Sequence, residues 1–230
     1  CYCYITWLFV NGVFIKMIIA IDGPAGSGKS TTAKLLAKRL GFIYLDTGSM
    51  YRAITLFFLE NRIDLQSNTH VKKSLEKVEL LIRNKDTFEI YLNKKNVTDI
   101  LRTSKIDDLV SDVSKILDVR KKMVSIQREF SRNQNIVVEG RDIGSKIMPN
   151  ADLKLFFTCS IKEKAKRRLK EFKDLNKKIT LKQVEKALIQ RDKEDTQRKI
   201  SPLIMTKNAV LVDTTKLTLK QMEAKLVNLV

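Results

Sequence analysis

Residues 23–30 read Gly-Pro-Ala-Gly-Ser-Gly-Lys-Ser, a G-x-x-x-x-G-K-[ST] pattern lying between an apolar run, Met17–Ile21, and a helix-compatible run, Ser30–Leu40. Few folds accept that junction. The glycines let successive backbone N–H groups curl around phosphate oxygens, and the helix that follows turns its positive end toward them. In this context Gly23, Pro24, Ala25, Gly26, Ser27, Gly28, Lys29, Ser30 and Thr31 are expected to bind the phosphates of ATP. Lys29 would reach the β and γ oxygens and the Ser30 hydroxyl would hold Mg2+. Asp22, at the end of the first strand, is placed either to serve the structure or to face the transferring phosphate and its metal shell.

From Met17 onward short apolar runs alternate with amphipathic stretches, the signature of βαβ units and a mostly parallel sheet covered by helices. Five runs are apolar enough for strands buried on both faces: Met17–Ile21, Phe42–Leu45, Ile136–Val138, Leu153–Phe157 and Ala209–Val212. Helical patterns occupy Ser30–Leu40, Ser49–Glu60, Asp107–Leu117, Arg120–Ser131, Lys162–Leu175, Leu181–Arg191 and Leu217–Val230. The expected fold class is therefore α/β, a P-loop core on a five-stranded parallel sheet. The interval between the second and third strands is too long for one crossover helix. Within it, Phe88–Leu92 followed by Asn93-Lys94-Lys95-Asn96 and Val97 reads as a small antiparallel hairpin.

Lys and Arg outnumber Asp and Glu by 44 to 26, giving a net charge of +18, so the protein attracts polyanions. The excess peaks over residues 161–200, where 15 Lys/Arg face 7 Asp/Glu. Apolar content of 43% with 30% charged residues excludes disordered, collagen-like and multi-span membrane classes. Cys1, Cys3 and Cys159 have no metal-ligand spacing with the one histidine, His70, so neither a zinc site nor a disulfide framework is expected. Cys159 reads as a small residue ending a buried strand. His70 reads as a solvated loop or helix-start residue rather than a general base. Residues 1–16, apolar and aromatic, lack a basic segment and a cleavage site and are too short and interrupted for a span. They are expected to be a non-native or disordered leader outside a single domain over 17–230.

Two more polar turns follow apolar strands. Asp46-Thr47-Gly48-Ser49-Met50-Tyr51-Arg52 comes after the second, and Glu139-Gly140-Arg141-Asp142-Ile143-Gly144 after the third. In open α/β sheets ligands bind at the carboxyl ends of strands, so an acceptor pocket is expected opposite the phosphate loop. A GTPase would need an N-K-x-D guanine reader after a strand, whereas the Asn93-Lys94 pair sits in a turn and is followed by Lys95-Asn96. A motor ATPase would need a larger body.

The segments GPAGSGKS, DTGSMYRA, VSDVSKILDVR, EGRDIG and QRDKEDTQRKISPL, in that order, resemble the bacterial cytidylate kinase family over residues 17–230. The resemblance implies ATP as donor with Mg2+, CMP or dCMP as acceptor, an acceptor-binding insertion over about 61–131 and a mobile arginine-rich lid over about 161–205. Carried over by motif, Thr47, Arg52 and Arg141 hold the CMP phosphate. Ser111, Arg120, Asp142 and Arg198 read cytosine, and Asp195, helped by Arg191, takes the ribose hydroxyls. Lys29, Asp22, Arg141 and Arg191 form the implied catalytic set. Glu139 stands where related sequences often carry Asp, which keeps the charge and leaves its part in metal binding open. Lys164, Arg167 and Arg168 fall in the implied lid helix, and spacing does not say which of them meets ATP.

The expected partners are thus small molecules, with no nucleic acid and no membrane, for a cytoplasmic monomer. Two rival readings remain: a kinase for UMP, AMP or another small acceptor, and an RNA-associated P-loop ATPase suggested by the net charge.

Overall fold

The computed structural model describes residues 9–10, 13–14, 16–84, 87–174 and 179–230. In chain order its elements are β1 (Phe9–Val10), β2 (Val13–Phe14), β3 (Ile18–Asp22), α1 (Lys29–Leu40), β4 (Ile43–Asp46), α2 (Thr47–Glu60), α3 (Asn68–Glu76), β5 (Leu80–Asn84), β6 (Phe88–Leu92), β7 (Lys95–Asn96), α4 (Ser104–Val113), α5 (Leu117–Ser131), β8 (Ile136–Gly140), β9 (Leu153–Thr158), α6 (Ile161–Asp174), α7 (Leu181–Gln197), β10 (Val210–Asp213) and α8 (Leu219–Val227). Much of the expected 1–16 leader, together with Leu175, Lys177 and Lys178 of the basic stretch, lies outside the described residues. Among the described residues no helix is long and apolar enough to cross a membrane.

The five apolar runs pair into one parallel sheet in the order β10-β9-β3-β8-β4. β3 is its middle strand, and Ile19, Ala20 and Ile21 are fully buried, each isoleucine contributing about 1.5–3 kcal/mol. On one face α1 packs through Ala33, Leu36 and Ala37, at helical spacing, with Leu226 of α8 in the same cluster. On the other face Met50, Ala53, Ile54 and Phe57 of α2 share a larger core with Met123 of α5 and Ile90 of the inserted sheet. The chain leaves β3 for β4 on one side, while β9 and β10 lie on the other. The crevice between the carboxyl ends of β3 and β8 is therefore a topological switch point, where open α/β sheets bind ligands.

The hairpin is tighter than expected and belongs to a three-stranded sheet, β5-β6-β7. Asn93 and Lys94, both at positive φ (47° and 70°), make a two-residue turn, and Lys95-Asn96 is already strand. The sequence reading missed β5, in which Ile82 alone is buried, and α3, a polar helix capped by the Ser67 hydroxyl and held by Val71 and Leu75. His70 sits in the first turn of α3, as a helix-start residue. The helix expected over Asp107–Leu117 instead spans Ser104–Val113 and breaks at Ser114, whose hydroxyl bonds Ser111 O at 2.8 Å; Leu117 then begins α5. α7 runs past the expected Arg191 to Gln197, which puts Arg191 and Asp195 one turn apart on a single helix.

Candidate active site

Between β3 and α1 the loop turns through two left-handed glycines, Gly26 (φ 73°) and Gly28 (φ 87°), the latter capping α1. Gly23 is required for a different reason: a Cβ there would lie 2.4 Å from the carbonyl oxygen of Phe157 on β9. Ser27 Oγ and Lys29 Nζ both donate to Pro24 O, at 2.9 and 3.0 Å, closing the loop on itself. Thr214, after β10, donates from Oγ1 to Ser27 O at 2.9 Å.

Around this loop the carboxylates are buried. Ser30 Oγ donates to Glu139 Oε1 at 2.6 Å, and Tyr44 OH reaches the same oxygen at 3.3 Å. Burial, reinforced by Asp46, pushes the Glu139 carboxyl up to about 6. Asp22 turns both oxygens to the backbone N–H groups of Ile143 and Gly144, each at 2.8 Å, and so grips the π-turn Ile143–Ile147 that follows β8. Burial outweighs those two bonds and raises Asp22 to about 6. Lys29 is pressed down to about 7, chiefly by burial and next by the Arg141 charge, against the pull of Glu139. These are the marks of a site holding more desolvated charge than it can pair internally.

Across the crevice a cavity of about 590 Å³ joins the loop to the second turn. It is lined by Gly28, Lys29, Ser30 and Thr31 on one side and by Thr47, Arg52, Ser111, Arg120, Arg141, Asp142, Arg191, Asp195 and Arg198 on the other. Motifs more than 150 residues apart in the chain thus share one space. Nine Lys/Arg and five Asp/Glu line it, so it is net positive as an anion site must be. Thr47 donates to Glu139 O at 2.8 Å. Asp142 is nearly inaccessible, paired with Arg120 through Oδ2 and with Arg198 through Oδ1 at 3.6 Å. Arg120 also donates to Ser114 O at 3.1 Å, so the break between α4 and α5 aims it. Arg141 Nε bonds Asp195 Oδ2 at 2.7 Å, and that guanidinium is the main charge that lowers the Asp195 carboxyl against burial. Arg191 is held down to about 10 by burial first and by Arg141 second, and its Nε is buried without a partner.

Several lining residues escaped the sequence reading. Arg102, paired with Asp46 at 3.6 Å, follows the inserted sheet and carries no sequence signal. Tyr51 lies inside the DTGSMYRA turn, its hydroxyl buried without a partner and pushed up to about 12 by burial, with the Arg120 guanidinium 5.5 Å from its ring centre. Of Lys164, Arg167 and Arg168 in α6, it is Arg168 that lines the cavity. Arg167 donates to Thr214 O at 2.7 Å beside Gly28, and Lys164 pairs with Asp192. Cys159 is buried just past β9, as a strand-ending residue should be.

A parallel α/β sheet with a glycine loop at its switch point, opening into a buried and net-cationic cavity, defines a phosphate-loop phosphotransferase fold and site. One solved structure, an uncharacterised protein from Eubacterium ventriosum, shares this fold with a TM-score of 0.53 at 13% identity, covering 93% of this chain and 98% of its own. A family model described as cytidylate kinase matches residues 19–230. The cytidylate kinase of Carboxydothermus hydrogenoformans is 44% identical over 93% of this chain and 97% of its own. That of Fusobacterium nucleatum is 44% identical over 89% and 93%. The chain belongs to the cytidylate kinase family.

Proposed function

We propose that this enzyme moves the γ-phosphate of ATP onto the phosphate of CMP or dCMP, giving ADP and CDP or dCDP. The observation that carries the reading is the single cavity in which the Lys29–Ser30 loop meets the Arg52, Arg141 and Asp142 side chains. Phosphoryl transfer needs in-line positioning and charge neutralisation more than covalent help, and this cavity is built from groups that supply both. The acceptor phosphate is itself the nucleophile.

In this reading the loop N–H groups and Lys29 hold the ATP phosphates. Their negative charge offsets the burial and the Arg141 charge that hold Lys29 near 7, which favours the protonated lysine. Arg52 and Arg141, with Thr47, hold the acceptor phosphate in line, and Arg191 adds positive charge where it accumulates. Asp142 accepts from the cytosine amino group while Arg120 or Arg198 donates to N3, with Ser111 at the base edge. Asp195 takes the ribose hydroxyls. The donor set beside the loop, a serine hydroxyl 2.6 Å from a buried carboxylate, is hard oxygen and suits Mg2+, which binds through one or two protein oxygens and the phosphates. Among the described residues no three-carboxylate cage competes for another metal. Bound there, Mg2+ would neutralise charge on the β and γ oxygens. Asp22, locked to the Ile143–Gly144 backbone, acts by fixing the turn that carries Arg141 and Asp142. The basic segment 161–205 serves as a lid that excludes water, which would otherwise take the phosphate.

Neither rival is favoured. A uracil acceptor would set its carbonyl against the Asp142 carboxylate. An RNA-associated ATPase would expose its cations along an open surface, whereas here nine of them line a cavity of nucleotide size. Phosphorus NMR of the protein with ATP, Mg2+ and CMP tests the proposal: CDP and ADP resonances should grow in equal amounts, and free phosphate accumulating without CDP would reject it.

A further inference from the structure

Asp107 belongs to none of the groups that touch substrate in the reading above, yet it stands between two that do. Its Oδ1 lies 2.7 Å from Nη2 of Arg52, on α2, and its Oδ2 lies 3.2 Å from Nη2 of Arg168, on α6. Arg52 and Arg168 both line the cavity, one from the acceptor side and the other from the lid. The carboxylate itself sits on α4, in the acceptor-binding insertion. One side chain therefore joins three elements across the mouth of the site.

The contacts are sheltered enough to count. The side chains of Arg52, Asp107 and Arg168 are 9%, 16% and 21% exposed, against 40% and 32% for Lys115 and Glu194, the other pair that crosses from the end of α4 to the lid. Ion pairs at that depth are much less screened than surface ones. Arg52 and Arg168 hold the Asp107 carboxyl below its usual range despite burial, so it is charged at neutral pH. Arg52 is otherwise tied by Nη1 to Leu101 O at 3.2 Å, and Arg168 by Nη1 to Glu171 at 2.6 Å, with its guanidinium over the Phe172 ring. Those partners fix each arginine within its own neighbourhood. Asp107 alone of these contacts links one arginine to the other.

We infer that Asp107 is a positioning residue that couples the acceptor-phosphate arginine Arg52 to the lid arginine Arg168, so that closure of the lid and alignment of the acceptor are one event. The inference rests on the proposed kinase reading for the roles of the two arginines, but the coupling itself is a property of the protein without substrate. Geometric misplacement of about 1 Å in a transfer site costs up to roughly 100-fold in rate. Loss of the link should accordingly act on kcat as well as on acceptor KM.

The test has two arms. In the first, spin labels at Lys95→Cys and Lys186→Cys, with Cys1, Cys3 and Cys159 replaced by alanine, report the distance between insertion and lid without any substrate. Asp107→Asn and Arg168→Met should each broaden the distance distribution toward longer values, and the double variant should broaden it no further. An unchanged distribution, or broadening that simply adds, overturns the coupling whatever the enzyme phosphorylates. In the second arm, steady-state kinetics with CMP should show kcat down about tenfold and acceptor KM raised in Asp107→Asn, with Asp107→Glu recovering most of kcat. A variant that melts at a lower temperature but keeps wild-type kcat would make Asp107 merely structural and sink the inference. Failure of the wild type to turn over CMP would instead refute the proposed function and leave the first arm standing.

Discussion

Replacing Asp142 by asparagine separates base reading from folding more cleanly than truncation does. The carboxylate is buried between Arg120 and Arg198, whose side chains are only 4% and 6% exposed. Removing it outright would strand two desolvated guanidiniums, a loss of about 3–5 kcal/mol. Asparagine keeps the shape and one accepting oxygen, so the cost should fall to about 1–3 kcal/mol, visible as a lower urea midpoint but not as an unfolded protein. The effect on specificity has the opposite character. In the wild type a uracil carbonyl would face a carboxylate, leaving buried groups unpaired at a cost of about 3–4 kcal/mol, or roughly 10²–10³ in kcat/KM. The asparagine amide can turn either its oxygen toward a cytosine amino group or its nitrogen toward a uracil carbonyl. Asp142→Asn should thus lower kcat/KM for CMP and raise it for UMP, shrinking the CMP/UMP ratio at least tenfold. A coupled assay of ADP release with both acceptors measures it. A folded variant with the wild-type ratio would show that Asp142 does not read the base, and Ser111, Arg120 and Arg198 would have to discriminate without it.

Three further outcomes follow from the same geometry. Lys29→Ala should cut kcat by about 10³ or more, because it removes a buried charge from the transferring group; activity within tenfold of wild type would contradict that role. Gly23→Ala should destabilise the fold by more than about 2 kcal/mol in denaturant melts, since φ is +151° and the new methyl would meet Phe157 O at 2.4 Å. The third is a pH effect. Asp22 is raised from 3.8 to about 6, so the folded protein prefers it protonated and its contribution to stability is lost as pH rises from about 4 through 6. Asp22→Asn abolishes that titration, and its penalty relative to the wild type without ligand should shrink by about 3 kcal/mol between pH 4 and pH 7. A penalty that stays constant over that range would mean the carboxyl is not raised.

What the sequence exposed and what it hid divide along physical lines. The core strands were legible because a strand buried on both faces must be largely apolar, and β3, β4, β8, β9 and β10 place the five expected runs within a residue or two, although β10, at the sheet edge, buries Val212 alone. β5 and α3 were not: β5 buries Ile82 alone of its five residues, and α3 buries only Val71, Ser74 and Leu75 of an otherwise polar helix. The break at Ser114 was hidden too: nothing in Ser111-Asp112-Val113-Ser114 forbids a helix, and the turn is held by bonds to Ser111 O and from Arg120, a residue six positions on. At the site, the glycine loop announces itself locally, and family resemblance carried the arginines that the cavity brings together. Arg102 and Asp107 had no such signal, and Tyr51, though inside the DTGSMYRA segment, was given no role by it. Their place depends on the packing of the inserted elements against α2 and on the long-range ion pair of Asp107 with Arg168 of α6, which no local pattern encodes.

The central claim is that one cavity holds ATP on the loop and a cytosine nucleotide on the arginines, and the most direct measurement is kcat/KM of the wild type with CMP, dCMP, UMP and AMP at saturating ATP and Mg2+. The account predicts efficient turnover of CMP or dCMP, UMP weaker by roughly 10² or more, AMP weaker still, and little ADP release without an acceptor. Equal use of UMP or AMP, or ADP release as fast without acceptor as with it, would contradict it.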